Sequence, residues 1–518
     1  MRASATLLLA LMAGTASAQS STQSSWPTYH GDDTGQHHSR LDQITAGNVG
    51  ALALSWVYHA QVPSAGMGLK PAIKATPLEV DGVLYFSMPN QLWAIDARTG
   101  HEIWTYTTKS GSAIGNRGVA VRNGTVYMET PDSHLVALDA ATGKEKWRVE
   151  FADVRLGYFA TMAPIIVKNH VIVASGGDSL DLPGYLQALD PETGALQWQW
   201  RVTPKPGEKG SETWPDAQAM EHGGGMPWMP GTYDPETNLI YWGTGNPNPV
   251  HAGQGRKGDN LFTCSIVALD ADTGKMAWYY QVSPHDTHDW DAVQTPVLVD
   301  GTFQGKPRKL LIQASRNGYF FVLDRKTGEH LLTEPYAVVN WAKGLDKQGR
   351  PIPDPAKEPR TDGTLVNPGS GGAANWPPPA FDPESGLLFV QTNETMSIYY
   401  LTDLSPRPIG FAGRDDMLEP NPAVTAIDYT TGKVRWQHKF DPGVSFGGVL
   451  STAGKLVFAG DTDQNFLALD AADGHTLWRV NLGAAVGGAP IAYKIGQQQF
   501  IVVAAGTDLY GFTLPAGK

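Results

Sequence analysis

The sequence predicts an all-β fold: one domain built as an eight-bladed β-propeller of four-stranded antiparallel blades. Three observations carry this expectation. A phrase of the form Ala-Leu-Asp-x-x-Thr-Gly-x-x-x-Trp recurs along the 518 residues. A second apolar hairpin precedes most copies, so that two hairpins make one four-stranded unit. The two chain ends supply complementary parts of one further unit.

The phrase reads AIDARTGHEIW at 94–104, ALDAATGKEKW at 137–147, ALDPETGALQW at 188–198 and ALDADTGKMAW at 268–278. It returns as VLDRKTGEHLL at 322–332, AIDYTTGKVRW at 426–436 and ALDAADGHTLW at 468–478. Aspartate favours the start of a tight turn and glycine takes its positive-φ position, so each copy is a hairpin, ending in tryptophan in all but the degenerate VLDRKTGEHLL. The upstream hairpins include TPLEVDGVLYFSM at 76–88 and VAVRNGTVYMET at 119–130. Two wider intervals hold YDPETNLIYWGTGN and FDPESGLLFVQTN at the corresponding place, and these serve as first hairpins rather than extra copies. The repeat tryptophans read as packing between blades. At the C-terminus residues 489–514 supply three strands, and ALALSWVYHA at 51–60 is a lone strand carrying Trp56. Pairing the two completes an eighth blade and removes an exposed edge.

Composition sets the compartment and excludes some partners. With 41% hydrophobic and 17% charged residues the chain is globular. Its net charge of -12 and pI of 5.6 argue against nucleic acid or anionic membranes as partners. Arg2, the apolar run Leu7 to Met12 and Ala16-Ser17-Ala18 form a secretory signal over residues 1–18, which leaves 19–518 as the mature domain. No later apolar run is long enough to span a bilayer, so a periplasmic protein without a membrane span is expected. The single cysteine, Cys264, excludes an internal disulfide and any site built on paired cysteines.

A propeller carries function on the loops at one face of its channel, so the segments that break the repeat are the candidates. They are residues 203–235, 243–260 and 333–376, together with HDTHDWDAVQ at 285–294. The last gathers Asp286, Asp289, Asp291, His285 and His288 around Trp290. Carboxylates two residues apart on an extended segment point to one side, so Asp289 and Asp291 can reach a common point. Held there they repel unless a proton or a cation intervenes, and a hard cation with oxygen ligands is one solution. The other is that these are loop aspartates making local turn hydrogen bonds.

The repeat, WPTYHGDDTGQHHSRLDQITAGNVGALALSW at 26–56, GGGMPW, WGTGNPNP, HDTHDWDAVQ, ASRNGYFFVLDRKTG and GGAANWPPPAFDPESG together resemble the pyrroloquinoline quinone (PQQ) alcohol dehydrogenases, from about Trp26 to Leu514. That resemblance implies a PQQ cofactor and one metal ion. It implies that Asp289 is the catalytic base, that Arg316 contacts the quinone oxygens, and that Asn246 and Asp289 ligate the metal. An aspartate at position 291 resembles the lanthanide-type members, since an additional carboxylate suits a trivalent ion; calcium is the alternative. The remaining family ligand, a glutamate, falls on Asp178, with Asp181 as a competitor. Trp228 matches the floor under the cofactor, where a flat quinone stacks well on an indole. Arg117, Thr161, Ser175, Gly176 and Gly177 match residues around the cofactor carboxylates and carbonyls, and Asn375 and Trp376 match a further contacting segment.

Departures from the family pattern also stand out. Gly111 and Ser112 occupy the place of a vicinal disulfide, and Lys74 replaces a glutamate that contacts the cofactor; a lysine can pair with a PQQ carboxylate. No Cys-x-x-Cys-His occurs, so no haem is attached, and electrons must leave to a separate acceptor such as a soluble cytochrome c. The expected activity is oxidation of a primary alcohol or an aldehyde. A cofactor-free envelope scaffold is the alternative of a different class, and it has no reason to keep Asn246, Asp289, Arg316 and Trp228 together.

Overall fold

Each Asp-x-x-Thr-Gly phrase folds as its turn chemistry requires. Asp96 Oδ1 accepts the Arg98 N–H at 3.0 Å and both the N–H and the hydroxyl of Thr99 at 2.8 Å. Gly100, at φ 72°, donates its N–H to the Asp96 carbonyl. Asp190 and Asp270 repeat the arrangement with Thr193 and Thr273. The strand pairing slips by one residue beside these turns, between Ala94 and Ile95, Ala188 and Leu189, and Ala268 and Leu269. Such a bulge increases the local twist of the hairpin.

The structure, a computed structural model, describes residues 24–62, 71–110, 115–177, 180–445 and 447–515. The expected signal at 1–18 lies outside them, as do Gly111, Ser112 and Asp178. Leu78–Val80, Val83–Met88, Gln91–Asp96 and Glu102–Thr107 form a four-stranded antiparallel sheet in chain order. Sheets of the same pattern follow at 120–150, 165–201, 232–281, 297–335 and 380–439, and the one at 450–481 adds His38–Ser39 as a fifth strand, parallel to Leu450–Thr452. In a further four-stranded sheet, Ile491–Ile495, Gln498–Ala505 and Asp508–Thr513 are joined by Ala53–His59 from the N-terminal end, which pairs antiparallel with Asp508–Thr513.

The repeat tryptophans link each sheet to the next. The Trp104 indole N–H donates to the Ala140 carbonyl at 3.0 Å, Trp198 to Ala271 at 2.9 Å and Trp278 to Arg325 at 3.1 Å. Trp436 donates to Ala471 at 3.2 Å, and Trp478 to Leu52 at 3.1 Å. The next turn's glycine lies flat on the ring: a Cβ at Gly143 would stand 2.6 Å from Trp104, so only glycine fits there. Where the fifth copy ends in Leu332, the leucine packs on the turn at Gly432 instead.

The insertions differ from expectation in one place. Within 333–376, Ala342–Leu345 pairs with Pro351–Pro353. Thr364–Val366 pairs with Ser397–Leu401, which pairs in turn with Gly413–Met417. Those last two strands interrupt the sheet at 380–439, an insertion that the repeat pattern does not mark because it lies inside one hairpin.

Candidate active site

In an antiparallel meander the start of the first strand and the end of the second lie at the same end of the sheet. The candidate residues occupy these positions. Lys74, Arg117, Thr161, Trp228, Asp289, Asp291, Asn375 and Trp376 precede first strands, whereas Ser175 to Gly177, Asn246 and Arg316 end or follow second strands. Sheet topology therefore collects residues from distant parts of the chain at one face.

The stretch 285–294 is a loop and not an extended strand, so side-chain alternation is not what brings its carboxylates together. Asp286 shapes it: Oδ1 accepts the His288 N–H at 3.2 Å and Oδ2 the Trp290 N–H at 3.0 Å. Asp289, between those two residues, is held at φ 67°. Trp290 is buried and donates to the Gly369 carbonyl at 3.0 Å. His288 stacks on it at 4.4 Å with its Nε2 against the Lys357 carbonyl, and burial pushes its pKa down to about 4.

Both carboxylates meet one cation, and it is Arg316. Its Nη1 donates to Asp291 Oδ2 at 2.6 Å and its Nη2 to Asp289 Oδ2 at 3.1 Å. The Ser370 carbonyl accepts from Nε and Nη2, which fixes the plane of the fork. Asp291 is further tied by the Asn246 N–H at 2.7 Å and the Trp228 indole N–H at 3.2 Å. Burial, opposed by Arg316, pushes Asp291 up to about 7. Burial works against the Arg316 charge as well, but Asp289 and Asp291 outweigh it. One guanidinium between two carboxylates leaves the site short of positive charge.

The donor set suits a hard cation. Asp289 and Asp291 are brought together by Arg316, Asn246 adjoins Asp291 through its backbone N–H, and among the described residues the Asn246 side chain bonds only through Nδ2, to the Pro247 carbonyl and Asn248 Oδ1, which leaves its oxygen for a cation. Among the described residues no three His, Cys, Asp or Glu side chains form a metal cluster. Asp181 is committed elsewhere: its Oδ1 accepts from Asn248 Nδ2 and the Gly410 N–H, both at 2.8 Å.

Beside this point lies a second cluster suited to a flat polyanion. The Arg117 guanidinium sits 4.6 Å from the Trp228 ring and 5.5 Å from that of Trp376. Its Nη1 donates to the Thr161 carbonyl at 3.2 Å, while its buried Nε and the buried Ser175 hydroxyl have no partner among the described residues. Burial pulls the Arg117 pKa down to about 10. Burial also lowers Lys74, with the Arg117 charge adding to the effect. The buried Arg117 and the half-buried Lys74 are cations near enough to feel each other, and an anion between them would stabilise both. The loop carrying Trp228 presses flat on Ser175–Gly177: a Cβ on Gly176 would lie 2.5 Å from that of Met226. Asn375 holds its own loop, donating to the Gly371 carbonyl and accepting the Trp376 N–H, both at 2.8 Å.

Sequence reasoning missed Glu129. It ends the strand Thr125–Glu129, is fully buried, and accepts the Ala174 N–H at 3.2 Å through Oε1, with the Met162 N–H also facing its carboxyl. Burial raises its pKa well above the ordinary range, with Arg117 opposing. A charged residue closing a largely apolar strand was the available signal.

The family described as glucose/ethanol/alcohol dehydrogenase, beta-propeller domain (PQQ), matches residues 26–334. The family of the outer membrane protein assembly factor BamB matches residues 421–518. The chain is 36% identical to the quinohemoprotein alcohol dehydrogenase of Comamonas testosteroni, over 95% of this chain and 74% of that protein. It is 33% identical to the lanthanide-dependent methanol dehydrogenase of Methylacidiphilum fumariolicum, over 93% of this chain and 84% of that protein. The solved structure of a europium-containing methanol dehydrogenase superposes with a TM-score of 0.87 at 29% identity, covering 95% of this chain and 98% of the other.

Proposed function

The chain belongs to the family of PQQ-dependent alcohol dehydrogenases, and from that premise we propose that it oxidises a small primary alcohol or an aldehyde with one metal ion bound beside PQQ. The observation that carries this reading is the meeting of Asp289, Asp291 and Arg316 with Asn246 and Trp228 at one point. Scaffold packing asks for no such constellation.

PQQ, when bound, supplies the two-electron acceptor, with the metal polarising its quinone oxygen. Asp289 takes the hydroxyl proton of the alcohol, and Arg316 holds its Oδ2 in place by donating from Nη2 at 3.1 Å. Trp228 provides the flat floor, and Arg117, Lys74 and the Ser175 hydroxyl receive the cofactor carboxylates. Asn246, Asp289 and Asp291 supply oxygen ligands, with Asp178 as the further carboxylate. A lanthanide is the proposed ion, because Asp291 adds negative charge where a trivalent ion needs it. The 2.6 Å bond from Arg316 to Asp291 favours calcium as the second reading, since the guanidinium already offsets that charge.

Seven four-stranded sheets and the five-stranded one at 450–481, among the described residues, are read as the blades of a closed ring within residues 19–518. The tryptophan links from sheet to sheet and the pairing of the two chain ends support this. The leader at 1–18 directs the chain to the periplasm, and electrons leave to a soluble cytochrome c or a similar acceptor. No helix among the described residues is long and apolar enough to cross a membrane. The test is reconstitution with PQQ and either lanthanum or calcium, followed by dye reduction over a panel of alcohols. Activity should appear and fall by about a thousandfold or more in Asp289→Asn, as loss of the base with loss of charge at the reacting centre demands. Equal rates in the two proteins would refute the reading.

A further inference from the structure

Arg256 is a buried cation that the proposed chemistry does not use. It is 0% exposed, and its four hydrogen bonds go to three backbone carbonyls and one amide oxygen. Nε donates to the Pro249 carbonyl at 2.8 Å, Nη1 to Asn260 Oδ1 at 2.9 Å, and Nη2 to the carbonyls of Val250, at 2.7 Å, and Asp286. In return the Arg256 carbonyl accepts from Asn260 Nδ2 at 2.6 Å. Burying a guanidinium costs free energy that carbonyl partners offset only in part. What it brings that a neutral side chain does not is a rigid planar fork able to hold several acceptors at fixed separations.

Those acceptors belong to two different loops. Pro249 and Val250 continue the segment that carries Asn246, and Asp286 opens the segment that carries Asp289 and Asp291. Asp286 then uses its carboxylate on the N–H groups of His288 and Trp290, the residues either side of Asp289. The left-handed backbone at Asp289, φ 67°, is unfavourable for a residue with a side chain and persists only where neighbours impose it. A second link closes the loop pair from the far side, where the Asn246 N–H donates to Asp291 Oδ1.

We propose that Arg256 and Asp286 form a positioning unit. Arg256 sets the separation of the Asn246 loop from the Asp289–Asp291 loop, and Asp286 imposes the turn that presents Asp289. Neither touches the reacting atoms. The catalytic consequence rests on the proposed dehydrogenase reading; the geometric claim does not.

The experiment has two arms. Hydrogen–deuterium exchange on the cofactor-free protein compares wild type with Arg256→Met, Arg256→Lys and Asp286→Ala. Asp286→Ala should speed exchange at His288 and Trp290 by roughly 10-fold or more, and Arg256→Met should speed it in both 246–250 and 286–291, with the other sheets unchanged. Arg256→Lys, which keeps the charge but not the fork, should fall between. If Arg256→Met does not fold, the lysine variant and Asp286→Ala carry the test. In the second arm, reconstituted variants should lose kcat by roughly 10-fold or more with KM within about 2-fold, and bind lanthanum chloride alone more weakly. Wild-type exchange rates in both segments, or acceleration spread evenly over all sheets, would overturn the proposal. If wild type is inactive with every metal, the dehydrogenase reading fails while the exchange arm still decides the positioning claim.

Discussion

At the scale of single residues the choice of metal turns on Asp291. Replacing it by alanine removes a carboxylate, and leaves Arg316 with Asp289 alone. Under the lanthanide reading, Asp291→Ala should cost lanthanum-dependent activity roughly 10-fold to 100-fold more than calcium-dependent activity. Equal losses would assign Asp291 to orienting Arg316 only. Glu129 makes a prediction of a different kind. Its folded pKa lies above its unfolded one, so the native state holds the extra proton. Its contribution to stability is therefore full below the ordinary glutamate range and is lost as pH rises toward the folded value. Glu129→Gln keeps the shape without the ionisation. Its stability advantage over wild type should grow between about pH 5 and pH 8, by at most about 1.4 kcal/mol per pH unit, as read by urea unfolding. A constant difference across that range would mean that Glu129 ionises freely in the fold. The carboxylate pair was legible because it sits in one short phrase. Its pairing with Arg316, which the resemblance had assigned to the quinone oxygens, was not, because Arg316 lies 25 residues from Asp291 in the chain and meets it only through sheet topology.

Elements were legible wherever local chemistry dictates them. The six Asp-x-x-Thr-Gly turns satisfy their own backbone groups, and with the seventh, where Asp473 stands in place of threonine, they give seven hairpins from local chemistry. The same local logic yields a test. Asp270→Ala removes the acceptor of the Thr273 N–H, at 2.9 Å, and of its hydroxyl, at 2.7 Å. The expected loss is about 1–2 kcal/mol, from a turn whose backbone donor loses its partner at an exposed position. Thermal unfolding should show it with activity unchanged at low temperature, since the turn is at the far end of the sheet from the candidate site. A loss below about 0.3 kcal/mol would show that water replaces the carboxylate fully. The strands Ser397–Leu401 and Gly413–Met417 were not legible, because they follow no repeat and pair outside the sheet whose connection they occupy. The site loops share that property. Their conformations come from contacts such as Trp290 on Gly369 and Asn248 on Asp181, between segments far apart in sequence.

At the scale of the molecule, the proposed closed ring would depend on a strand that the chain contributes before the first of the four-stranded sheets is built. Ala53–His59 joins the last sheet, and its Trp56 packs on Gly100 in the first turn of the first sheet. Trp278 occupies the equivalent position at an internal seam, and each indole is 7% exposed, so the two residues bury comparable surface. In a closed ring the two seams are mechanically alike. Trp56→Ala and Trp278→Ala should each cost about 3–5 kcal/mol, the usual range for deleting a buried tryptophan side chain. Both variants should still unfold in one transition, because opening any seam releases its neighbours. If the chain ends were only loosely associated, Trp56→Ala would cost far less than Trp278→Ala. Calorimetry on the two variants side by side separates these outcomes: a Trp56→Ala protein with nearly unchanged midpoint, or with a small early transition ahead of the main one, would mean that the ring is open where the chain begins and ends.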